Sequence, residues 1–348
     1  MGNPLLERKG EIEQFIARIS TMMNDQQLDR ECHEFLHSFP PQYGLELATI
    51  IAWKNPFFMP RVPAPQATQL TLSTDQFSEL VLRARLTAHQ SDELYVLVAC
   101  APKSASTFLQ SKLREATDLR AAMIFAFGAN PSALGANIRE QEIDELALLR
   151  ATLQAKGFVA QHHLRASPFT MRLLSLYKLR PIVTHRNIFD TLISLDDMLI
   201  HWRADDPENS GHFFNDAMPA NYSRMPREDR LTLLAHRWSM WLLQFYVSWK
   251  KCEDMGLVSP LWVSYEEDIL GDKRQLAGRI AAYLGRDKID VVRLKKALEN
   301  TSDAASLRLN KGVAGRGEEL PEAARQVVLS AARLYAGDMD LSPLVGEI

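Results

Sequence analysis

Leu94-Tyr-Val-Leu-Val-Ala-Cys-Ala101, followed at once by Pro102-Lys-Ser-Ala-Ser-Thr107-Phe-Leu-Gln110, is the stretch that decides how this chain folds. An uninterrupted β-prone apolar run fits a strand buried on both faces. The small polar loop after it leads into residues 111–115, which continue as helix. Strand, loop and helix in this order aim free backbone N–H groups and the positive end of a helix dipole at a phosphate. Lys103 adds a point charge, and Ser104, Ser106 and Thr107 add hydroxyls. The GxxxxGK[ST] pattern of a Walker loop is absent, and no glycine precedes Lys103 in the loop. By itself the segment reads equally well as an ordinary helix start, because Ser and Thr are common N-caps.

Three further runs read as strands: Gly157-Phe-Val-Ala-Gln-His-His163, Arg180-Pro-Ile-Val-Thr-His-Arg186 and Leu261-Trp-Val-Ser-Tyr265. Helical patterns over 143–156, 187–201 and 227–253 separate them. This alternation predicts an α/β fold, a P-loop-like parallel sheet with helices on both faces, whose ligands bind at the carboxyl ends of the strands. Arg186 stands at such an end. Asn187 is a candidate N-cap, and Ser194, about two turns into the following helix, shares the side of Arg186, so that guanidinium and hydroxyl can converge on a second phosphate.

Upstream, Ser73 and Gln76 form a capping-box pattern that opens a helix to about His89. Before it come an amphipathic pattern over 5–23, a second helical stretch over 26–37, and a connector carrying Pro56, Pro60, Pro63 and Pro65. The expected organisation is therefore an α-helical N-terminal extension, 1–72, and an α/β domain, 73–348. Within the 348 residues, 40 Lys plus Arg balance 43 Asp plus Glu for a net charge of -3, which speaks against a nucleic-acid or anionic membrane surface and makes any anion site local. Cys32, Cys100 and Cys252 show no CxxC or Cys/His cluster, so neither a disulfide framework nor a metal site is expected. The start lacks a secretory signal pattern, and the longest apolar stretches are about nine residues, half of what a spanning helix needs, so a cytoplasmic protein is expected.

The order of these pieces resembles the PAPS-dependent sulfotransferases, in a bacterial-type form divergent from the cytosolic phenol and steroid branch. That family's 5′-phosphosulfate loop reads PKSGTTWL, and its 3′-phosphate element is an Arg and a Ser eight residues on; here these are Pro102 through Leu109, and Arg186 with Ser194. The family base sits in a KTHLP string, which is similar to Gln161-His162-His163-Leu164-Arg165. Its YED and RKGxxGDW strings are similar to Tyr265-Glu266-Glu267-Asp268 and to Asn310-Lys311-Gly312-Val313-Ala314-Gly315-Arg316. The resemblance spans roughly Leu94 to Gly315.

Carried over, it implies that Lys103, Ser104, Ala105, Ser106 and Thr107 form the 5′-phosphosulfate loop. It implies that Arg186, Ser194, Lys311 and Gly312 hold the 3′-phosphate, and that Phe108, Tyr265 and Thr301 contact the adenine. His163 is the implied base, with Lys103 stabilising the leaving group; Glu142 is a reserve base, since some branches use a carboxylate. His162 alternates to the opposite side of the strand, and His185 is structural. Departures are Gln161 for a family Lys, Asn310 for an Arg, Ala105 for a loop glycine, and Gly315-Arg316-Gly317 for GDW, with Arg308 or Arg316 as possible sources of compensating charge. The implied reaction moves a sulfuryl group from PAPS to the hydroxyl or amine of a small-molecule or carrier-bound acceptor, releases PAP and uses no metal. His201, Arg203 and 204–226 border the expected acceptor pocket, and Arg165 and Arg172 favour an acidic or carrier-bound acceptor. Two alternatives stand beside this one: a non-catalytic module of the same fold that binds PAP or a partner, and a P-loop nucleotide kinase, which would require a Walker loop and a magnesium carboxylate.

Overall fold

Helices α1 (Pro4–Glu7), α2 (Lys9–Ile19), α3 (Asp25–His37) and α4 (Gly44–Lys54) open the chain in the computed structural model. It describes residues 3–19, 22, 24–55, 58–59, 61, 73–125, 140–154, 156–203, 218–300 and 314–347. The helix expected over 5–23 breaks at Arg8, which leaves helical geometry at φ -101°, ψ 22°. Leu5, Ile12, Phe15, Ile19, Leu28, Cys32, Leu47 and Ile51 close a small core with Phe39 and Phe58 from the segments after α3 and α4. The capping box at Ser73 and Gln76 is present and starts α5 (Thr74–Gln90).

The α/β part follows as β1 (Tyr95–Cys100), α6 (Ser106–Ala116), β2 (Arg120–Ala122), α7 (Glu145–Leu153), β3 (Phe158–His162), α8 (Pro168–Leu176), β4 (Leu179–His185) and α9 (Ile188–His201). It continues with α10 (Arg227–Asp254), β5 (Leu261–Ser264), α11 (Lys273–Leu284), α12 (Val291–Glu299), α13 (Glu322–Arg333) and α14 (Ser342–Val345). The described strands form one parallel sheet in the order β2-β3-β1-β4-β5. Every residue of β1 is buried, which explains its unbroken apolar sequence: Tyr95, Leu97 and Ala99 enter a core with α5, α7, α8, α9, α10 and α13, while Val96, Val98 and Cys100 enter a second core with α6, α11 and α12. Pro181 is tolerated in β4 because pairing with β5 begins only at Ile182, so the missing N–H can face the open side. The short strand β2 escaped the sequence reading because three residues beginning with Arg120 carry no apolar run.

Several buried polar groups of this frame are paired across elements. Asp196 on α9 accepts from Tyr222 Oη at 2.8 Å and from Arg230 Nε and Nη2 at 2.8 and 3.0 Å, tying α9 to α10. His162 is buried, accepting the Ile124 N–H on Nε2 at 3.2 Å and donating from Nδ1 to Gln141 Oε1 at 3.0 Å. His185 is buried against the rings of Tyr246 and Trp262. Among the described residues no helix is long and apolar enough to cross a membrane.

Asp196→Ala removes the shared acceptor of the buried Tyr222 hydroxyl and the half-buried Arg230 guanidinium, so denaturant unfolding will show a loss of about 1–3 kcal/mol. Glu319→Ala, at an exposed pair with Arg227, will cost less than about 1 kcal/mol in the same assay. Burial pushes the imidazole of His162 down to about 3, helped by the charge of His163, and that of His185 down to about 4, from an ordinary 6.5. Below pH 6.5 only the unfolded chain takes up these protons, so their contribution is complete above that pH and is lost as pH falls toward the folded values. Stability at pH 5 will be lower than at pH 7.5 by about 2 kcal/mol per histidine, and His162→Gln will flatten the slope. A urea midpoint that stays constant over this range would show that neither histidine is held neutral by the fold.

Candidate functional site

Three neighbouring strands, β3, β1 and β4, end side by side and carry His163, the loop 101–105 and Arg186 respectively. The chain leaves β1 toward β2 and leaves β4 toward β5, so the sheet reverses its winding between β1 and β4, where sheets of this kind hold ligands. Arg186 bridges that crevice, donating from Nη1 to the carbonyl of Lys103 at 3.2 Å.

The loop has an unusual backbone for its sequence. Lys103 and Ala105 take φ of 64° and 61°, left-handed values that cost a non-glycine residue about 1–2 kcal/mol each. Ser104 holds this shape: its fully buried hydroxyl donates to the Ala101 carbonyl at 2.6 Å and lies 2.6 Å from Thr184 Oγ1 on β4. The Ser104 side chain therefore closes the loop on itself and fastens it to β4, leaving its backbone N–H for an anion. Ala105 occupies the N-cap of α6 and makes no side-chain cap, which leaves the first-turn N–H groups facing the loop. Ser106 is buried and accepts from Gln161 Nε2 at 2.9 Å; Thr107 and Lys103 are half-buried.

Just beyond β3, His163 donates from Nδ1 to the Cys100 carbonyl at 2.9 Å, and its backbone N–H reaches Gln141 Oε1 at 3.2 Å. With Nδ1 protonated, Nε2 is the basic nitrogen. The reserve carboxylate Glu142 is exposed and borders a pocket of about 360 Å³ that is also lined by Glu140, Arg165 and Lys251 and contains none of the loop residues. Arg165 is paired with Glu140 and Gln244, and Arg172 is exposed on α8.

Arg186 is 6% exposed, with its guanidinium carbon 3.9 Å from the centroid of the Tyr265 ring and Nη2 3.6 Å from Asp190 Oδ2. Tyr265 is thus buried with a cation over one face of its ring. Phe108, which the resemblance assigns to the adenine, is 2% exposed and belongs to the second core. Asn187 caps α9, accepting from Phe189 and Asp190 N–H at 3.0 and 3.3 Å. Its own N–H goes to Glu266 Oε1 at 3.0 Å, and burial raises the Glu266 carboxyl above the usual carboxylate range. Ser194 is 1% exposed, and its Oγ has no hydrogen-bond partner among the described residues. Thr301, Lys311 and Gly312, like Arg308 and Asn310, lie outside the described residues, as do 204–217 of the expected acceptor border.

In the sequence Asp190 stands three residues after the candidate N-cap Asn187, with no part in the site assigned to it. Its buried carboxylate accepts the N–H of Gly315 at 2.9 Å and of Gly317 at 2.5 Å, from a turn 125 and 127 residues away. Gly317 must lack a side chain, since a Cβ there would lie 2.5 Å from Phe189 Cβ. Arg316, between the two glycines, pairs with Asp197 at 2.8 Å, so its charge is already matched inside the fold. Among the described residues no group of three or more His, Cys, Asp or Glu is arranged to hold a metal ion.

No protein-family model matches this sequence, and no curated protein matches it. Among solved structures, the chain is similar to mouse sulfotransferase SULT7A1 complexed with PAP, at 16% identity and a TM-score of 0.48 over 78% of this chain and 94% of that one.

Proposed function

We propose that the protein is a sulfotransferase that moves a sulfuryl group from PAPS to the hydroxyl or amine of a small-molecule or carrier-bound acceptor and releases PAP. The observation that carries this reading is the convergence at three adjacent strand ends: a left-handed loop leading into an uncapped helix, a buried arginine bonded across to that loop, and an imidazole held by the neighbouring strand. The residues present fit a nucleotide with two anionic ends. The start of α6 offers N–H groups, with Lys103, Ser106 and Thr107 beside them, to the 5′ end, and Arg186 with the unpartnered hydroxyl of Ser194 offers a charge and a donor to the 3′-phosphate. Lys311, Gly312 and Thr301 join them by the resemblance alone. Bound PAPS supplies the sulfuryl group and an anionic leaving group.

The chain's own work follows from its geometry. The loop backbone, fixed in advance by Ser104 and Thr184, presents donors without reorganising during the reaction. Lys103 adds the charge that stabilises the departing oxygen. Cys100 holds His163 in the tautomer whose Nε2 takes the acceptor proton, and Gln161 replaces a charged residue with a neutral donor that steadies Ser106. Positioning and electrostatics therefore account for most of the rate.

Two measurements test this. Lys103→Ala and Arg186→Ala, each folded by circular dichroism, will bind PAP more weakly by about tenfold or more in calorimetric titration, each having lost a charge-assisted bond to phosphate. His163→Ala will keep PAP affinity while turnover of radiolabelled PAPS with an acceptor panel falls by about 10²–10⁴. Wild-type protein that binds PAP but transfers nothing to any acceptor would favour the non-catalytic module, and binding of ATP with magnesium in place of PAP would favour the kinase.

A further inference from the structure

Asp190 is an acid in the first turn of α9, where a carboxylate ordinarily reaches back to the N-cap N–H and completes a capping box. Here that donor, the N–H of Asn187, belongs to Glu266 Oε1 at 3.0 Å. Asp190 turns away from its own helix end and meets the 315–317 turn, with Oδ2 accepting from Gly315 and Oδ1 from Gly317. The oxygen that takes the Gly315 N–H is also the one 3.6 Å from Arg186 Nη2. One buried carboxylate thus sets the distance between the guanidinium and the turn.

The turn is shaped to accept this hold. Gly315 has φ +82°, a left-handed value open to glycine, and Gly317 lies where any Cβ would strike Phe189. Arg316 locks the far side through Asp197, and Arg325 Nη2 donates to the Gly317 carbonyl at 2.8 Å. Beside an anion site a carboxylate is unfavourable on Coulomb grounds alone. Its presence there calls for a compensating task.

We propose that Asp190 is a positioning residue that fixes Arg186 and the 315–317 turn in one register and thereby gives the site its preference for a nucleotide carrying a 3′-phosphate. The proposal rests on the sulfotransferase reading above. Three possible roles give different signs on removal of the charge. A positioning residue, once neutralised, releases both partners and weakens binding of the 3′-phosphate only. A bystander acid, once neutralised, stops repelling phosphate and strengthens binding. A merely structural acid lowers the melting temperature and weakens all nucleotides alike.

The experiment is calorimetric titration of the full chain with adenosine 3′,5′-bisphosphate and with adenosine 5′-monophosphate, which lacks the 3′-phosphate. In Asp190→Asn the bisphosphate will bind about tenfold or more weakly while the monophosphate changes by less than about twofold. Stronger bisphosphate binding, or an equal loss for both nucleotides, overturns the proposal. Should Asp190→Asn not fold, Asp197→Asn loosens the same turn from its other side without touching Arg186, and it must also narrow the preference; an undiminished wild-type preference in that variant overturns the proposal. Wild-type protein that does not prefer the bisphosphate removes the sulfotransferase reading and this inference together, whereas a wild-type preference that survives both substitutions removes only the inference.

Discussion

The whole arrangement hangs on β1 being covered on both faces and paired on both edges. Its backbone groups need a partner strand on each side, and β3 and β4 supply them, both running parallel to it. Once that is so, the residues that follow all three strands must meet. The convergence of an imidazole, a lysine-bearing loop and an arginine is a consequence of strand order rather than of any local attraction between them.

Charge inside the fold is organised around α9. Asp190, Asp196 and Asp197 each face a different arginine, and each of those arginines belongs to a different part of the chain: Arg186 before the helix, Arg230 on α10 and Arg316 in the late turn. Buried ion pairs contribute little net stability against well-packed apolar alternatives, but losing one partner is costly. Three acids on one helix therefore act as a key that admits one docking of α10 and one docking of the turn. Packing by Leu192, Ile193, Leu195 and Leu199 supplies the adhesion, and the acids supply the register.

Much of the frame was legible in the sequence because it rests on local pattern. The continuous run at 94–101, the capping box at Ser73 and the N-cap at Asn187 each depend on residues within a few positions of one another. Strand β2 was illegible because an edge strand of three residues needs no apolar run, and the break at Arg8 because periodicity carries through it. The site was legible as types and spacing but not as contacts. Ser104 reads as a hydroxyl available to a ligand until Thr184, 80 residues on, is seen to share its hydrogen bond. Phe108 reads as a ring beside a binding loop, and its membership of the second core depends on residues of α11 and α12 far along the chain. Nothing near Asp190 in sequence announces a turn more than a hundred residues downstream.

Those separations also order the birth of the protein. The helices α1 to α4 close their core among neighbours in sequence, a kind of contact that forms fast. On the ribosome, where amino-terminal parts emerge and fold first, these helices have their core partners available before β3 and β4 are made. The sheet must wait for β3 and β4, and the grip of Asp190 on Gly315 waits longest, since the chain between them has first to be synthesised. Until then α9 carries acids with some of their partners missing, and the nascent domain can take up its final charge balance only when the last turn arrives.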